Sequence, residues 1–359
     1  MEASHSVIQR YLELSVNGAT GAGCFPVPVI LQGDMKMSKR ISICFRLILA
    51  CLFLSLLFQG CARLSVDQEK SGKNVDRDFI SIGVTKEFGK VFLKEAQVRW
   101  RKSSTVMDAL EKICRVEKAY GGGFVKAIDG IASAKGKDWF YYVNGTLADV
   151  GAALYETGAK DEIWWDYHAW GRNTFIPTVI GSYPKPFTVG YGGKKRPTTI
   201  VYSSEFHNEA RAIGKYLGAE GARVLYSKDL SKFEDAKKNG PVIVILNSPA
   251  LHLKGLKENI LRHLNLSGTF IRVEGEKIIV LDEEANPSSV DVEVTGAVVC
   301  AGVGMGDASP IWFLLFLNDE SKNQIVKILT GETRVLKHKV GLVIDSRGEI
   351  RALPFGENR

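Results

Sequence analysis

The stretch WFYYVNG at residues 139–145 decides the fold of the first half of this chain. Its side chains alternate between two faces, as the side chains of a β-strand do. One face carries Trp139, Tyr141 and Val143, and the other carries Phe140 and Tyr142. Asn144 and Gly145 form a tight-turn dipeptide, because both residue types tolerate a positive φ. The stretch therefore predicts a strand that ends in a hairpin turn.

A second aromatic stretch, DEIWWDY at residues 161–167, predicts the last strand of the same sheet. By alternation, Ile163, Trp165 and Tyr167 share the face that we expect to be the core. The other face carries Trp164, Asp166 and His168, and Trp170 follows in a loop.

The rest of this half predicts one helix and two more strands. Residues 80–84 alternate as a strand, and residues 124–128 form another strand-like run. Between them, Thr105 and Asp108 have the spacing of a capping box, so a helix begins there. The glycines at 121–123 are expected to end that helix. One helix against a small mixed sheet indicates an α+β domain over residues 78–170.

This domain resembles the C-terminal β-domain of transcobalamin and intrinsic factor, the animal cobalamin carriers. The resemblance rests on TVMDAL (105–110), GFV (123–125), IDG (128–130), WFYYVNG, Gly151, Tyr155 and DEIWWDY. It implies a β-grasp-like fold and a role in cobalamin binding. The carriers close cobalamin against a large helical barrel, and no stretch of this chain resembles that barrel. The second domain or a membrane transporter would have to supply the other half of such a site.

Four of the six tryptophans fall between residues 139 and 170, which is a high density for one small domain. If some of these rings are exposed, they form a binding surface. Such a surface suits a flat corrin, a sugar ring or a protein partner equally, and packing in the core is the alternative. Within a corrinoid site, His168 could ligate cobalt through a neutral imidazole. The candidate binding residues are Tyr142, Asn144, Trp164, His168 and Trp170.

Residues 1–60 are expected to lie outside the fold. Residues 47–58 are an uncharged apolar run, too short to cross a bilayer easily, and basic residues precede it. Gln59, Gly60 and Cys61 follow the run, and this Gly-Cys end resembles the lipobox of bacterial lipoproteins. That resemblance implies a lipid anchor on Cys61, whereas a plain buried apolar segment is the alternative. A signal peptide of normal length would start at Met35 or Met37, so residues 1–34 are expected to be a start-site error or a disordered extension.

The remaining chain divides into a tether, two domains and a linker. Residues 61–77 are polar and aperiodic, as a membrane tether would be. Residues 171–197 contain four prolines and several glycines, which predicts a linker. Residues 198–359 alternate strand and helix patterns, with a continuously apolar strand at 242–246 and two hairpins near residues 270–281 and 340–353. This second domain is expected to be an α/β sandwich with an antiparallel finish, and its family is not recognised.

The second domain offers weak motifs for chemistry. The loop GVGMGD at 302–307 lies between two apolar runs, and a helix after it would let backbone N–H groups cradle phosphate. Its spacing is not that of a dinucleotide or P-loop motif, so a tight connection is the favoured interpretation. Ser203, Ser204, His207 and Asp307 could form a triad on paper, but G-x-S-x-G is absent. No cluster of residues has metal-ligand spacing.

Composition narrows the function. The chain of 359 residues is 45% hydrophobic with a net charge of +7, which is ordinary for a globular protein and argues against a nucleic-acid partner. The sequence predicts a lipid-anchored protein on the extracytoplasmic face of a bacterial membrane. It would bind cobalamin or another corrinoid, with no further cofactor, and pass it to a membrane transporter. A surface module for glycan or protein is the alternative, and an enzyme near Ser204 and His207 is the third class.

Overall fold

The first half of the described chain builds a five-stranded sheet with one short helix. The computed structural model describes residues 79–119, 123–171, 173–247 and 256–356. The signal segment, Cys61 and the tether therefore lie outside the described residues. The elements of this half are β1 (Phe79–Lys86), β2 (Val91–Arg99), α1 (Val106–Glu111), β3 (Val116–Ala119), β4 (Phe124–Ile128), β5 (Ile131–Ala132), β6 (Lys137–Val143), β7 (Thr146–Leu147) and β8 (Glu162–Ala169).

The five strands are ordered β2-β1-β8-β6-β7, and β3, β4 and β5 form a separate small sheet. Strands β1 and β8 pair in parallel, whereas β2, β6 and β7 pair antiparallel with their neighbours. The aromatic stretches form β6 and β8 as predicted. Asn144 and Gly145 have positive φ values of 51° and 83°, which confirms the tight turn.

Helix α1 begins as predicted but ends early. Thr105 Oγ1 accepts from the backbone N–H of Asp108, and the Asp108 carboxylate accepts from the N–H of Thr105, so the capping box is confirmed. The prediction that the helix continues to the glycines at 121–123 is wrong. Asp129 Oδ1 accepts from the N–H of Arg115 at 2.7 Å, which turns the chain into β3 and its antiparallel pairing with β4.

The second half is a larger mixed α/β domain. The segment at 173–197, which we call the connecting segment, precedes this domain. It contains a single helical turn, α2 (Lys185–Thr188). The elements that follow are β9 (Thr198–Tyr202), α3 (His207–Ala219), β10 (Val224–Ser227), α4 (Phe233–Asn239), β11 (Val242–Asn247), α5 (Leu256–Leu264), β12 (Ile271–Glu274), β13 (Lys277–Val280), β14 (Val294–Ala301), β15 (Ile311–Phe316), α6 (Asp319–Thr330), β16 (Gly341–Asp345) and β17 (Ile350–Leu353).

Seven of these strands form one sheet in the order β10-β9-β11-β15-β14-β16-β17. The first four are parallel and the last three join antiparallel, which confirms the predicted antiparallel finish. The apolar run after the glycine loop is strand β15 rather than a helix. The loop at 302–310 therefore connects two antiparallel strands, and no helix N-terminus follows it that could hold phosphate.

The buried hydrophobic side chains form three clusters, each packed against a face of one or both sheets. One cluster lies between the five-stranded sheet and α1 and contains the predicted core side chains Trp139, Tyr141 and Trp165. A second cluster joins one face of the seven-stranded sheet to α3 and α6. The third joins the opposite face of that sheet to α4, α5 and the five-stranded sheet, and we call it the shared cluster. Both sheets belong to one compact unit.

The proline-rich segment between the sheets is largely buried. Ile176, Val179 and Ile180 are at most 1% exposed, and the first two belong to the shared cluster. The backbone N–H of Val179 donates to Gly145 O, and that of Ile180 donates to Val340 O. The segment thus packs against both sheets. Across the described residues, no helix has the length and apolar character needed to cross a membrane.

Candidate functional site

The predicted aromatic face lies between the two sheets. Tyr142 and Trp164 stack with ring centroids 5.3 Å apart, and each is 1% exposed. Both belong to the shared cluster, together with Phe88 and Phe270. A ligand could reach these two rings only by displacing part of the second domain. The alternation of side chains along the two strands thus predicts correctly that Tyr142 and Trp164 share a face. The second domain covers that face.

His168 is held in a buried polar network and is 2% exposed. Its ring lies between those of Phe88 and Phe140, with centroid distances of 4.7 and 4.4 Å. Its Nδ1 contacts Asp166 Oδ2 at 2.8 Å. Asp166 also accepts from Thr85 Oγ1 and from the backbone N–H groups of Phe88 and Gly89. The carboxylate therefore fixes the β1–β2 turn, which inserts Phe88 into the shared cluster.

Asn144 is fully buried and joins the turn to the connecting segment. Its amide nitrogen donates to Asp161 Oδ1 at 2.7 Å and to Gly190 O at 2.9 Å, and its Oδ1 accepts from the N–H of Glu162. Trp170 is half-buried and is the most accessible of the five predicted residues. Their role in ligand binding stays a prediction, and four of the five have structural contacts that account for their positions.

A cavity of about 530 Å³ opens where the two halves and the connecting segment meet, and we call it the seam pocket. This volume is in the range of sites for small organic ligands. Three segments build it: residues 149–156 after β7, residues 191–196 and the loop between β14 and β15. Its lining residues are Asp149, Val150, Leu154, Tyr155, Glu156, Tyr191, Gly192, Lys194, Arg196, Gly306, Asp307, Ala308 and Ser309.

Hydrogen bonds fix the positions of the three segments relative to one another. The backbone N–H of Gly306 donates to Leu147 O at 2.8 Å, and the Tyr191 hydroxyl donates to Asp149 Oδ1 at 2.6 Å. Gly306 has a φ of +72°, and a Cβ there would lie 2.5 Å from Asp149 Oδ2. The site requires glycine at this position because the loop approaches the first half so closely.

Part of the lining of the seam pocket is aromatic and apolar. The rings of Tyr155 and Tyr191 have centroids 5.4 Å apart, and the Tyr155 hydroxyl accepts from the N–H of Gly192. Burial raises the pKa of both phenols, so both are neutral near pH 7. At the rim, Leu154 is 76% exposed and Val150 is 40% exposed, which is unusual for apolar side chains beside a cavity.

Other residues of the lining carry charge. Asp307 Oδ2 accepts from Lys237 Nζ at 3.1 Å and from the N–H of Val303, and its Oδ1 accepts from the N–H of Ser309. Arg196 Nη1 donates to Ser309 Oγ at 3.3 Å. Lys194 and Arg196 have no carboxylate partner among the described residues, and both are exposed.

Sequence reasoning missed the seam pocket because its walls are far apart in the chain. A tight connection is the favoured interpretation of the glycine loop, and the basic residues at 194–196 fall within the predicted linker at 171–197. An indirect signal was present, since both segments combine glycines with charged residues. Such segments form the loops on which binding residues are commonly found.

The candidate triad residues of the second domain do not contact one another as a triad would. The Tyr202 hydroxyl lies 3.1 Å from His207 Nδ1, and Asp307 is bound to Lys237. No hydrogen bond within the described part of the chain links His207 to Ser203, Ser204 or Asp307. In the same residues, no group of three or more His, Cys, Asp or Glu side chains could hold a metal ion.

Comparisons with family models and with solved structures each find a similarity. Residues 103–169 match a family model described as a domain of unknown function, DUF4430. A solved structure from Ruminococcus gnavus, described as a candidate metal-binding protein, is similar with a TM-score of 0.22 and 13% identity. That similarity covers 26% of this chain and 99% of the other. No curated protein matches this chain.

Proposed function

We propose that this chain is a lipid-anchored, extracytoplasmic binding protein whose small ligand occupies the seam pocket. The observation that carries the proposal is that residues from both halves and from the connecting segment line one cavity of about 530 Å³. Pockets at domain junctions are the usual place for small-molecule sites. The lipid anchor and the location follow from the lipobox resemblance at Cys61, and the β-grasp-like fold of the first half follows from the resemblance to the cobalamin carriers.

A corrinoid is the first ligand to test, because the sequence of the first half resembles the cobalamin carriers. The aromatic face that would have received the corrin ring is covered by the second domain. A complete corrinoid exceeds the volume of the seam pocket, so it would insert an edge or a side chain. The rest of the molecule would lie on the exposed rim around Leu154 and Val150.

The test is an absorbance titration of the full chain in detergent with cobalamin and cobinamide. Val150→Trp should narrow the seam pocket and weaken binding at least about tenfold, which corresponds to 1.4 kcal/mol. Val91→Trp is the matched control, because Val91 is 36% exposed on β2 against 40% for Val150. Equal affinity in the two variants would contradict the pocket as the site. Absence of binding at about 100 μM protein would contradict a corrinoid ligand.

A surface module that binds glycan or protein is the second candidate function. It is favoured by the exposed apolar side chains of Leu154 and Val303, which are 76% and 70% exposed, the latter in the glycine loop. In that case the double variant Leu154→Ser/Val303→Ser should stop sedimentation of the chain with isolated cell walls, whereas excess corrinoid should have no effect. Unchanged sedimentation of the double variant would exclude this surface.

A further inference from the structure

The guanidinium of Arg196 is anchored on one wall of the seam pocket. It donates one hydrogen bond to Ser309 Oγ, and Ser309 is 7% exposed. A guanidinium has five N–H donors in a planar fork that matches a carboxylate or a phosphate. The Ser309 hydroxyl can accept from Arg196 and still donate its own proton to a ligand. The remaining donors of both groups are thus available to a bound anion.

The nearby carboxylates are already engaged with other groups. Asp307 uses both oxygens on Lys237 and on two backbone N–H groups, and Asp149 accepts from the Tyr191 hydroxyl. Neither forms an ion pair with Arg196. Glu156 is the third acidic residue of the lining and is exposed, so solvent and salt screen its charge.

Lys194 adds a second cation to the lining of the pocket. It lines the cavity, is exposed and has no acidic partner among the residues that the structure describes. The same lining includes the Tyr155 ring and the apolar side chains of Leu154 and Val150. The lining therefore combines groups that suit an anion with groups that suit an apolar or aromatic body.

From this lining we infer that the ligand of the seam pocket is an amphipathic organic anion. Its carboxylate or phosphate is bound by Arg196, Ser309 and Lys194, and its apolar body packs against Tyr155 and Leu154. This inference deepens the proposed function and rests on it, because it concerns the same pocket.

Two fluorescent probes that differ by one anionic group test this ligand class. The anionic probe is 8-anilinonaphthalene-1-sulfonate, and N-phenyl-1-naphthylamine has the same rings without the sulfonate. With the full chain in detergent, we expect Arg196→Gln to raise the Kd of the anionic probe at least about tenfold. Lys194→Gln should raise it by a smaller factor, since the lysine is more exposed. The Kd of the neutral probe should change less than about twofold in both variants, and added salt should weaken only the anionic probe.

Control variants separate this inference from the proposed function. Lys102→Gln removes an exposed lysine on a loop before α1 and should change neither affinity. Val150→Trp should weaken both probes, because it fills the pocket. If both probes bind and Val150→Trp affects neither, the seam pocket is not their site and both proposals fail. If neither probe binds, the inference about the anion is overturned, and the corrinoid titration decides the proposed function. If Val150→Trp weakens both while Arg196→Gln spares the anionic probe, only the inference about the anion is overturned.

Discussion

At the scale of single residues, Asp166 is the group on which the buried polar network depends. It accepts hydrogen bonds from Thr85, Phe88, Gly89 and His168 while 1% exposed. Asp166→Asn would turn an amide N–H toward donors and leave at least one of them unpaired. We expect a loss of about 3 kcal/mol in the free energy of unfolding, measured by urea denaturation. Asp291→Asn, on the surface, should change it by less than about 0.5 kcal/mol, and a similar loss in both would contradict this role.

Glu162 should make the free energy of unfolding fall as the pH rises. Burial raises the pKa of its carboxyl to about 7, although Lys185 and Lys337 act in the opposite direction. Between its ordinary pKa of 4.5 and about 7, the unfolded chain releases this proton and the folded chain keeps it, so stability falls as pH rises. Glu162→Gln should therefore raise the unfolding free energy by about 1–3 kcal/mol at pH 8 and have little effect at pH 4.

Thermal unfolding at both pH values measures the effect of Glu162. Glu156→Gln is the control, since Glu156 is exposed. A gain in stability for Glu162→Gln that is equal at pH 4 and pH 8 would show that the carboxyl does not titrate in this range.

At the scale of elements, two glycines of the loop between β14 and β15 should respond differently to the same change. Gly306→Ala places a Cβ against the Asp149 carboxylate in a left-handed conformation, whereas a Cβ on Gly304 meets no atom within 4 Å. We expect Gly306→Ala to cost about 1–3 kcal/mol and to weaken binding of the anionic probe, with Gly304→Ala near neutral in both measurements. Equal effects would mean that the loop does not depend on this close approach.

The β1–β2 hairpin offers a second comparison within one element. Phe88 at its turn is 3% exposed in the shared cluster, and Phe92 on β2 is 59% exposed. Phe88→Ala should cost about 3–5 kcal/mol because it leaves a cavity between the sheets, and Phe92→Ala less than about 0.5 kcal/mol. Hydrogen exchange should show lost protection in both β8 and β15 for Phe88→Ala. Loss confined to the hairpin would contradict a packing role between the sheets.

At the scale of the whole molecule, the shared cluster couples the two halves. Side chains from both sheets bury each other there, and the connecting segment hydrogen-bonds to both. We therefore expect one calorimetric transition with equal calorimetric and van't Hoff enthalpies for the full chain. Two resolved transitions would show that the halves are energetically independent.

The sequence predicts the strands of the first half and their two faces, but it does not predict which residues pack against those faces. Alternation in residues 139–145 and 161–167 is a local property of the backbone, so β6, β8 and their two faces were predicted correctly. What covers the face of Tyr142 and Trp164 depends on distant residues such as Phe270, which periodicity cannot report. Prolines and glycines at 171–197 indicated irregular backbone but not its burial. The seam pocket combines three segments, and no single one of them identifies a site.

The shared cluster also has a consequence for how the protein is made. In a chain exported as proposed, Phe88, Tyr142 and Trp164 cross the membrane well before residues such as Phe270 and Phe313, which belong to the same cluster. Until those later residues arrive, one apolar side of the nascent N-terminal half has nothing to cover it. Export that stalls between these points would leave an intermediate with exposed apolar surface, and such intermediates are prone to aggregation.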